Sequence, residues 1–422
     1  MSPIAGRKAG TRPTRVRHAW VHVVAAVIFA AAALAMGPGV VWGDTVQYIR
    51  IAHELEGASP DEAWETAYLE FCENPSIPYA GTVENCLTTT MAGRGPVIGY
   101  IDRNPQYQEI FSPRIGYPLI SLPLMNLFGD RTGLWVVAVL STAAAGLLLA
   151  RLAYLARLPL LPAAVAQVAF YLLPVSLPHG IALLAEAPTL LSSLVMAIGL
   201  AHLMNGVRKR GVVLMAVGLG MVFFFKYSST MLLCVSFLGL CISLLLFKDY
   251  RSRPQLRAAA VVSALFAGAS VLINTLFGLP GLQHSLQDTF TDHFRFPPVD
   301  DPLQRLLALE GEFAVSFLAA LPANAAYLVV FIAAVVGMVL AKRRGILPLA
   351  GWAAVGLSIY GILSVIAHPV YKQSDRLGSS LWVGVAVGIG FLALVIQRRL
   401  PRNSRLKRDG DPAAGAGRAH QE

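Results

Sequence analysis

RVRHAWVHVVAAVIFAAAALAMGPGVVWGD, residues 15–44, is the stretch that decides the fold class. Its apolar part, residues 19–41, contains no Asp, Glu, Lys or Arg, and a helix of about 20 such residues crosses the ~30 Å hydrocarbon layer of a bilayer. Similar runs recur along the 422-residue chain, which is 55% hydrophobic and 14% charged, whereas soluble domains are roughly 25% charged. We therefore predict an all-α integral membrane protein.

The formal net charge of +10 comes from basic residues concentrated in short segments between the apolar runs. Such segments stay on the cytoplasmic side of a membrane, so they indicate topology and not a nucleic-acid partner. The six basic segments are Arg7 to Arg17, Arg151 with Arg157, Arg208 to Arg210, Lys248 to Arg257, Lys342 to Arg344, and Arg398 to Arg408. We predict a multi-pass protein of the cell (plasma or inner) membrane with both termini in the cytoplasm.

About ten crossings of the lipid bilayer fit between these basic segments. They are predicted near residues 19–41, 133–150, 160–178, 181–204, 211–225, 229–247, 258–277, 312–340, 346–366 and 378–397. Residues 1–18 then form a basic cytoplasmic N-terminus, 19–397 the transmembrane domain, and 398–422 a disordered basic cytoplasmic tail. Tyr117 to Phe128 is apolar but only 12 residues long, which predicts a half-helix or membrane-surface helix; if it crosses with a partner, the count becomes eleven or twelve.

A cleaved signal peptide is the alternative for the first apolar run. A basic start, an apolar stretch and the Ala33-Leu34-Ala35 sequence also fit such a peptide. We favour a retained span because the apolar run is long for a signal sequence.

Two long segments, 42–114 and 278–311, are predicted to lie on the external side of the membrane. We expect the functional site there, because loops held by a rigid scaffold commonly supply catalytic and binding groups. Juxtamembrane helices are expected in the first segment. Cys72 and Cys86 lie 14 residues apart within it, in what should be an oxidising compartment, and are predicted to form a disulfide.

Asp44 directly follows the first apolar run and opens a predicted amphipathic helix on the membrane surface. That helix is predicted from apolar residues at helical spacing, namely Tyr48, Ile51, Ala52 and Leu55. The local pattern favours Asp44 as the N-cap of the helix, with Gln47 as its capping-box partner. A catalytic carboxylate is the alternative, and it needs support from elsewhere in the chain.

That support comes from segments that resemble, in order and spacing, the C-type glycosyltransferase superfamily. These multi-spanning enzymes use polyprenyl-phosphate sugars, and the chain looks most similar to the aminoarabinose transferase and protein O-mannosyltransferase-like group. The similar segments are Asp44 with Tyr48, Ser112 to Gly129, and Leu184 to Pro188, within roughly residues 19–230.

The chain also departs from that group. Protein O-mannosyltransferases carry Asp-Glu where this chain has Asp44-Thr45, and a His-Pro-Pro motif where it has Ile115 to Pro118. The D-x-D of the oligosaccharyltransferases is missing as well, so the acceptor class and metal use stay open.

The resemblance implies an inverting hexosyl- or pentosyltransferase, with a polyprenyl-phosphate sugar as donor and an envelope glycan, lipid or protein as acceptor, acting on the external face. Asp44 would orient the acceptor hydroxyl and take its proton, with Glu186 as the second catalytic candidate. The candidates for binding the donor and its phosphate are Arg114, Tyr117, Lys226, Lys372 and Arg376. No cofactor is indicated.

Three of these candidates, Glu186, Lys226 and Arg376, have a structural alternative. Lys226 could extend from a helix end to the membrane interface, and Asp375 and Arg376 could solvate a short loop. Glu186 sits in an apolar run, where a carboxylate must be paired, neutral or exposed to a wet cavity; solvation of a helix end is the structural alternative.

The late segment 278–311 has its own pattern. His284, Asp288 and Asp292 recur every four residues, but this spacing is equally that of a solvated helix face, so a metal site is only weakly indicated. Phe290, Phe294 and Phe296 predict instead a lid or an acceptor-contact surface.

Two other classes of protein fit a polytopic chain: a lipid or solute transporter or flippase, and a polysaccharide polymerase or ligase. A transporter is disfavoured because the ionisable residues cluster near one face and no paired broken helices are evident. A ligase would depend on basic residues of the late segment and not on Asp44.

Overall fold

The computed structural model of the chain describes residues 14–76, 79–93 and 103–399. Within these ranges it has eighteen α-helices, two 3₁₀ helices (His179–Ile181 and Leu349–Trp352), and no β-strand beyond a single bridge between Val41 and Pro75. The α-helices are α1 (Thr14–Met36), α2 (Gly43–Leu55), α3 (Pro60–Glu73), α4 (Val83–Met91), α5 (Pro105–Phe111), α6 (Gly116–Phe128), α7 (Asp130–Leu155), α8 (Leu160–Leu172), α9 (Glu186–Met204), α10 (Arg208–Lys226), α11 (Ser228–Leu246), α12 (Pro254–Leu276), α13 (Leu282–Phe290), α14 (Pro302–Ala320), α15 (Ala325–Arg343), α16 (Ala353–Ile366), α17 (Tyr371–Leu377) and α18 (Leu381–Gln397). The predicted all-α class is confirmed. Residues 400–422 of the predicted tail and residues 1–13 of the predicted basic N-terminus lie outside the described residues.

Each of the ten predicted crossings contains a helix, but not all of these helices can span a bilayer alone. Among the described residues, seven helical units are long and apolar enough, and the bent pair α17 and α18, which meet at 53°, would make eight. The seven are α1, α7, α9, α11, α12, α15 and the unit Leu349–Ile366. Of the other two, α8 has only 13 residues, and α10 carries charged residues at both ends. The chain is thus multi-pass, with fewer self-sufficient spans than the sequence predicts.

The predicted crossing at 312–340 is broken in the structure. Helix α14 ends at Ala320 and α15 begins at Ala325, with Pro322 in the turn between them. Proline lacks the N–H for an intrahelical hydrogen bond, and its ring clashes with the preceding turn. The span therefore begins only at Ala325, and the end of the predicted loop 278–311 belongs to α14.

Helix α2 is buried by protein and does not lie on a membrane surface as predicted. Every residue from Thr45 to Ala52 is buried, because α3 and α6 pack against the helix. Cys72 in α3 and Cys86 in α4 form the expected disulfide, with their Cα atoms 5.7 Å apart. The described residues of 43–128, which we call the first-loop segment, pack together at one end of the helix bundle. We call this end the loop end.

Removing this disulfide by Cys72→Ala with Cys86→Ala is expected to lower the free energy of unfolding by ~3 kcal/mol, because the bond closes a 14-residue loop in the unfolded chain. Thermal melting of the purified full-length protein measures the effect. The matched control removes the two buried free thiols, Cys234 and Cys241, and should cost less. An equal melting temperature for the first pair and the wild type would contradict the prediction.

His53 ties the first-loop segment to the start of α7. Its Nε2 lies 2.8 Å from Asp130 Oδ2, and this hydrogen bond raises the pKa of His53 above its ordinary value. A histidine whose pKa is raised in the folded state stabilises the protein through its protonated form. This stabilisation is fully present when the pH is below the ordinary pKa of about 6.5, and it is lost as the pH rises through the pKa of the folded state.

The wild type should therefore melt at a higher temperature than His53→Gln, and the difference should be largest in mildly acidic buffer. The difference should shrink as the pH rises past neutrality. We expect less than ~1 kcal/mol in total, since partly exposed pairs contribute about that much. A difference that does not change with pH would show that the pair contributes no proton-linked stability.

Helices α9 and α10 run antiparallel in close contact through glycines. A Cβ atom added to Gly199 would lie 2.6 Å from the backbone nitrogen of Met215, and one added to Gly218 would lie 2.6 Å from that of Met196. Only glycine permits backbones this close, as is common between membrane helices. This contact fixes the register of the two helices, so that Glu186, which begins α9, lies beside Lys226, which ends α10.

Candidate functional site

A cavity of about 1270 Å³ opens among the helix ends at the loop end of the bundle. The part of its wall at the loop end, which we call the upper part, is polar and includes residues from α2, α13 and α17. Going from the loop end into the bundle, which we call downward, the wall includes Glu186, Thr189, Leu190 and Ser193 on successive turns of α9. Seven residues of helix rise by ~10 Å, so the cavity extends from a charged upper part into the membrane-spanning part of the bundle.

Four charged side chains meet on the wall of this cavity, and we call them the charged cluster. Arg376 Nη1 donates to Asp44 Oδ2 at 3.0 Å, and Arg376 Nε lies 3.7 Å from Glu186 Oε1. Lys226 Nζ donates to the same Glu186 oxygen at 3.2 Å. All four side chains are between 13% and 22% exposed, so they are sheltered but reachable from the cavity.

Asp44 is free to join the cluster because it does not cap its helix. Trp42 is the N-cap residue of α2, and the Trp42 backbone nitrogen donates to Thr45 Oγ1 at 3.2 Å. The Thr45 hydroxyl in turn donates to Leu183 O at 2.9 Å, which fixes the start of α2 against the chain just before α9. The N-cap interpretation of Asp44 is therefore wrong, and its carboxylate points to Arg376 instead.

Helix ends explain the other members of the cluster. Glu186 lies in the first turn of α9 and Lys226 in the last turn of α10, where the helix dipoles favour an acid and a base respectively. Lys226 is paired with Glu186 on the cavity wall. Arg376 comes from α17, the short helix before the bend into α18, and therefore reaches both carboxylates.

Arg114 and Lys372 also line the cavity. Arg114 is 8% exposed and lies over the Phe111 ring, 4.7 Å from its centre. Burial, opposed by the charge of Arg114, raises the pKa of Tyr48, so this phenol stays neutral. Neither Arg114 nor Lys372 has a carboxylate partner among the described residues, and both positive charges can therefore face an anion.

Tyr117 is not among the residues that line the cavity. It is fully buried, its hydroxyl donates to Leu134 O at 2.8 Å, and its ring packs edge-on against Tyr48. The structure does not bring Tyr117 to the cavity wall with the other donor-binding candidates, because α6 packs tightly against α7 and this side chain lies inside the protein.

Two histidines that the sequence analysis did not select also line the cavity. Burial lowers the pKa of His368, whose Nδ1 lies 3.0 Å from Thr289 Oγ1. Burial also disfavours charge on His293, but its hydrogen bond to Asp288 and the charge of that residue outweigh burial and raise its pKa. Only the proximity of α13 to the end of α16 reveals this pair, and no local sequence pattern marks it.

The weakly indicated metal site is not assembled. Helix α13 ends at Phe290, and Asp292 has a left-handed backbone with φ of 51°, so Asp292 cannot share a helix face with His284 and Asp288. Asp292 pairs with Arg295 instead. Across the described residues, no three His, Cys, Asp or Glu side chains lie close enough to hold a metal ion.

Neither a protein-family model nor any curated protein matches this sequence. The function is therefore argued from the chemistry of the cavity itself.

Proposed function

We propose that the protein is a membrane glycosyltransferase that moves a sugar from a polyprenyl-phosphate donor to an acceptor hydroxyl on the external side of the membrane. The observation that carries the proposal is the meeting of Asp44, Glu186, Lys226 and Arg376 on one cavity. The other three residues lie far from Asp44 in the sequence, and the sequence analysis selected each of the four as a separate candidate.

The cavity suits a donor that is half lipid and half sugar phosphate. Below the charged cluster, its wall includes Leu190, Leu232 and Val271, an apolar lining for an isoprenoid chain. Arg114, Lys226 and Arg376, which line the same cavity, offer charged hydrogen-bond donors. Guanidinium and ammonium groups bind phosphate oxygens strongly and stabilise the charge that develops on a departing phosphate.

The reaction follows from these positions. The acceptor oxygen attacks the anomeric carbon, a new C–O bond forms with inversion, and the bond from that carbon to the phosphate oxygen breaks. Asp44 takes the proton of the hydroxyl, and polyprenyl phosphate leaves with the electron pair of the broken bond. A bound phosphate also competes with Asp44 for Arg376, so donor binding frees the carboxylate that must accept the proton.

The rival is a lipid transporter, for which the same cations would only hold a headgroup. Full-length protein in proteoliposomes, supplied with radiolabelled polyprenyl-phosphate sugars extracted from the cells that make it, separates the two. We expect release of polyprenyl phosphate, detected by mass spectrometry, and movement of label into an acceptor from an envelope extract. Donor that crosses the bilayer intact, without release of polyprenyl phosphate, would establish transport and refute the proposal.

A further inference from the structure

A second, smaller pocket of about 420 Å³ lies beside the large cavity. It is formed by α5 and the chain from 278 to 298, which includes α13. His284 and the turn at Pro280 and Gly281 line both spaces, so the pocket adjoins the cavity that holds the charged cluster. Its volume falls within the range of roughly 300–1,000 Å³ that is usual for small-molecule sites.

The polar groups of this pocket suit a ligand with many hydroxyls. Gln106, Gln283 and Glu109 are exposed and line it. Among the described residues, their side chains have no hydrogen-bond partner. A glutamine amide both donates and accepts, and a carboxylate accepts at two oxygens, which are the groups that neighbouring hydroxyls require.

The charge of the lining argues against an anionic ligand. No lysine or arginine is among the described residues that line the pocket, although four line the large cavity next to it. A phosphate or carboxylate group on the ligand would therefore meet Glu109 without a compensating cation, and desolvation of unpaired charge is costly. The pocket thus favours a neutral ligand.

Two aromatic rings provide the apolar side of the pocket. Phe296 is 60% exposed, and Phe294 packs on the His284 ring with 4.8 Å between the ring centres. A flat apolar ring of this kind covers the C–H face of a sugar, while the amides bind the hydroxyls at its edge. A purely alkyl ligand would leave the amides unpaired, which disfavours it.

The wall of the pocket is held in place by the chain itself. Gln287 Oε1 accepts from Val299 N at 2.9 Å, and Gln287 Nε2 donates to Val299 O at 2.8 Å. Asn104 Nδ2 donates to Phe294 O at 3.3 Å, which joins this wall to the start of α5. Because these contacts fix both sides of the pocket, its shape is formed before a ligand enters.

We propose that this pocket is the acceptor subsite and binds the end of a neutral glycan, one of whose hydroxyls extends past His284 toward Asp44. The inference rests on the proposed glycosyltransferase function and narrows the acceptor from glycan, lipid or protein to an uncharged carbohydrate.

Saturation-transfer difference NMR on the full-length protein in nanodiscs tests the subsite without a donor. The probes are a panel of neutral oligosaccharides and the same sugars carrying a phosphate. We expect binding of at least one neutral member, no binding of its phosphorylated form, and at least tenfold weaker binding by the double variant Gln106→Ala with Gln283→Ala. The matched control is Gln397→Ala, an exposed amide at the far end of α18, which should bind as the wild type does.

The absence of any neutral-glycan signal, a preference for the phosphorylated sugars, or wild-type binding by the double variant would each overturn the inference. Melting temperatures of all variants check that they are folded. Release of polyprenyl phosphate, measured on the same samples, separates this failure from failure of the proposed function. Release without glycan binding would refute the acceptor subsite alone, whereas no release under any condition would refute the transferase.

Discussion

Asp44→Asn is expected to lower sugar transfer by about 100- to 10,000-fold, the usual effect of losing a general base. Asparagine keeps the size of the side chain and an oxygen that can accept from Arg376, but it cannot take the acceptor proton. The start of α2 should be unaffected, because Trp42 and Thr45 form the cap. Transfer from a polyprenyl-phosphate sugar and the melting temperature, measured on the same purified samples, test the expectation.

The matched control for this change is Asp375→Asn. Asp375 lines the same cavity, is exposed, and has no ion pair among the described residues. Its neutralisation should leave transfer within a few-fold of the wild type. Should Asp44→Asn turn over at a near-wild-type rate, the proton acceptor would have to be sought at Glu186, the other carboxylate that contacts Arg376.

Arg376→Ala is expected to weaken both donor binding and turnover. The guanidinium would contact the phosphate before and during bond cleavage, and loss of a hydrogen bond to a charged group costs ~1.5–3 kcal/mol, or roughly 10- to 100-fold in affinity. The change also leaves Asp44 without its partner, and Glu186 with Lys226 alone. We therefore expect Arg376→Ala to have a lower melting temperature as well, whereas Asp44→Asn should keep a hydrogen bond to Arg376 and melt close to the wild type.

Two variants sharpen this test. Arg376→Lys keeps the charge but loses the planar group that reaches two carboxylates, and it should fall between alanine and the wild type. Arg305→Ala removes an arginine whose pairing with Asp301 is about half exposed, and it should affect neither binding nor stability. Donor affinity unchanged in Arg376→Ala, measured with purified polyprenyl phosphate, would remove Arg376 from the phosphate site.

The sequence predicts well those features that depend on one segment at a time. Runs of about 20 apolar residues identify spanning helices because the bilayer sets their length. Charged residues are rare beside such runs, so the sequence alone singles out Asp44, Glu186, Lys226 and Arg376 as candidates. The sequence does not predict the distances between them, since these depend on the register of α9 with α10 and on the bend at α17.

Other features depend on packing that no local pattern encodes. The apolar spacing of α2 looks the same whether lipid or α3 and α6 cover it. Tyr117 follows a motif that resembles a donor-binding helix, yet the close fit of α6 on α7 turns it inward. The glutamines of the smaller pocket belong to no sequence motif. An exposed amide can be recognised as part of a pocket only after the fold shows which residues lie beside it.

The contact between Asp44 and Arg376 joins residues 332 positions apart in the chain. During synthesis at ~5–20 residues per second, Asp44 leaves the ribosome roughly 17–66 s before its partner. Any chain that stops short of α17 therefore carries the proposed base but lacks Arg376, the guanidinium that contacts this base. We therefore expect prematurely terminated copies to be inactive as transferases, because the proposed site is complete only once α17 is in place.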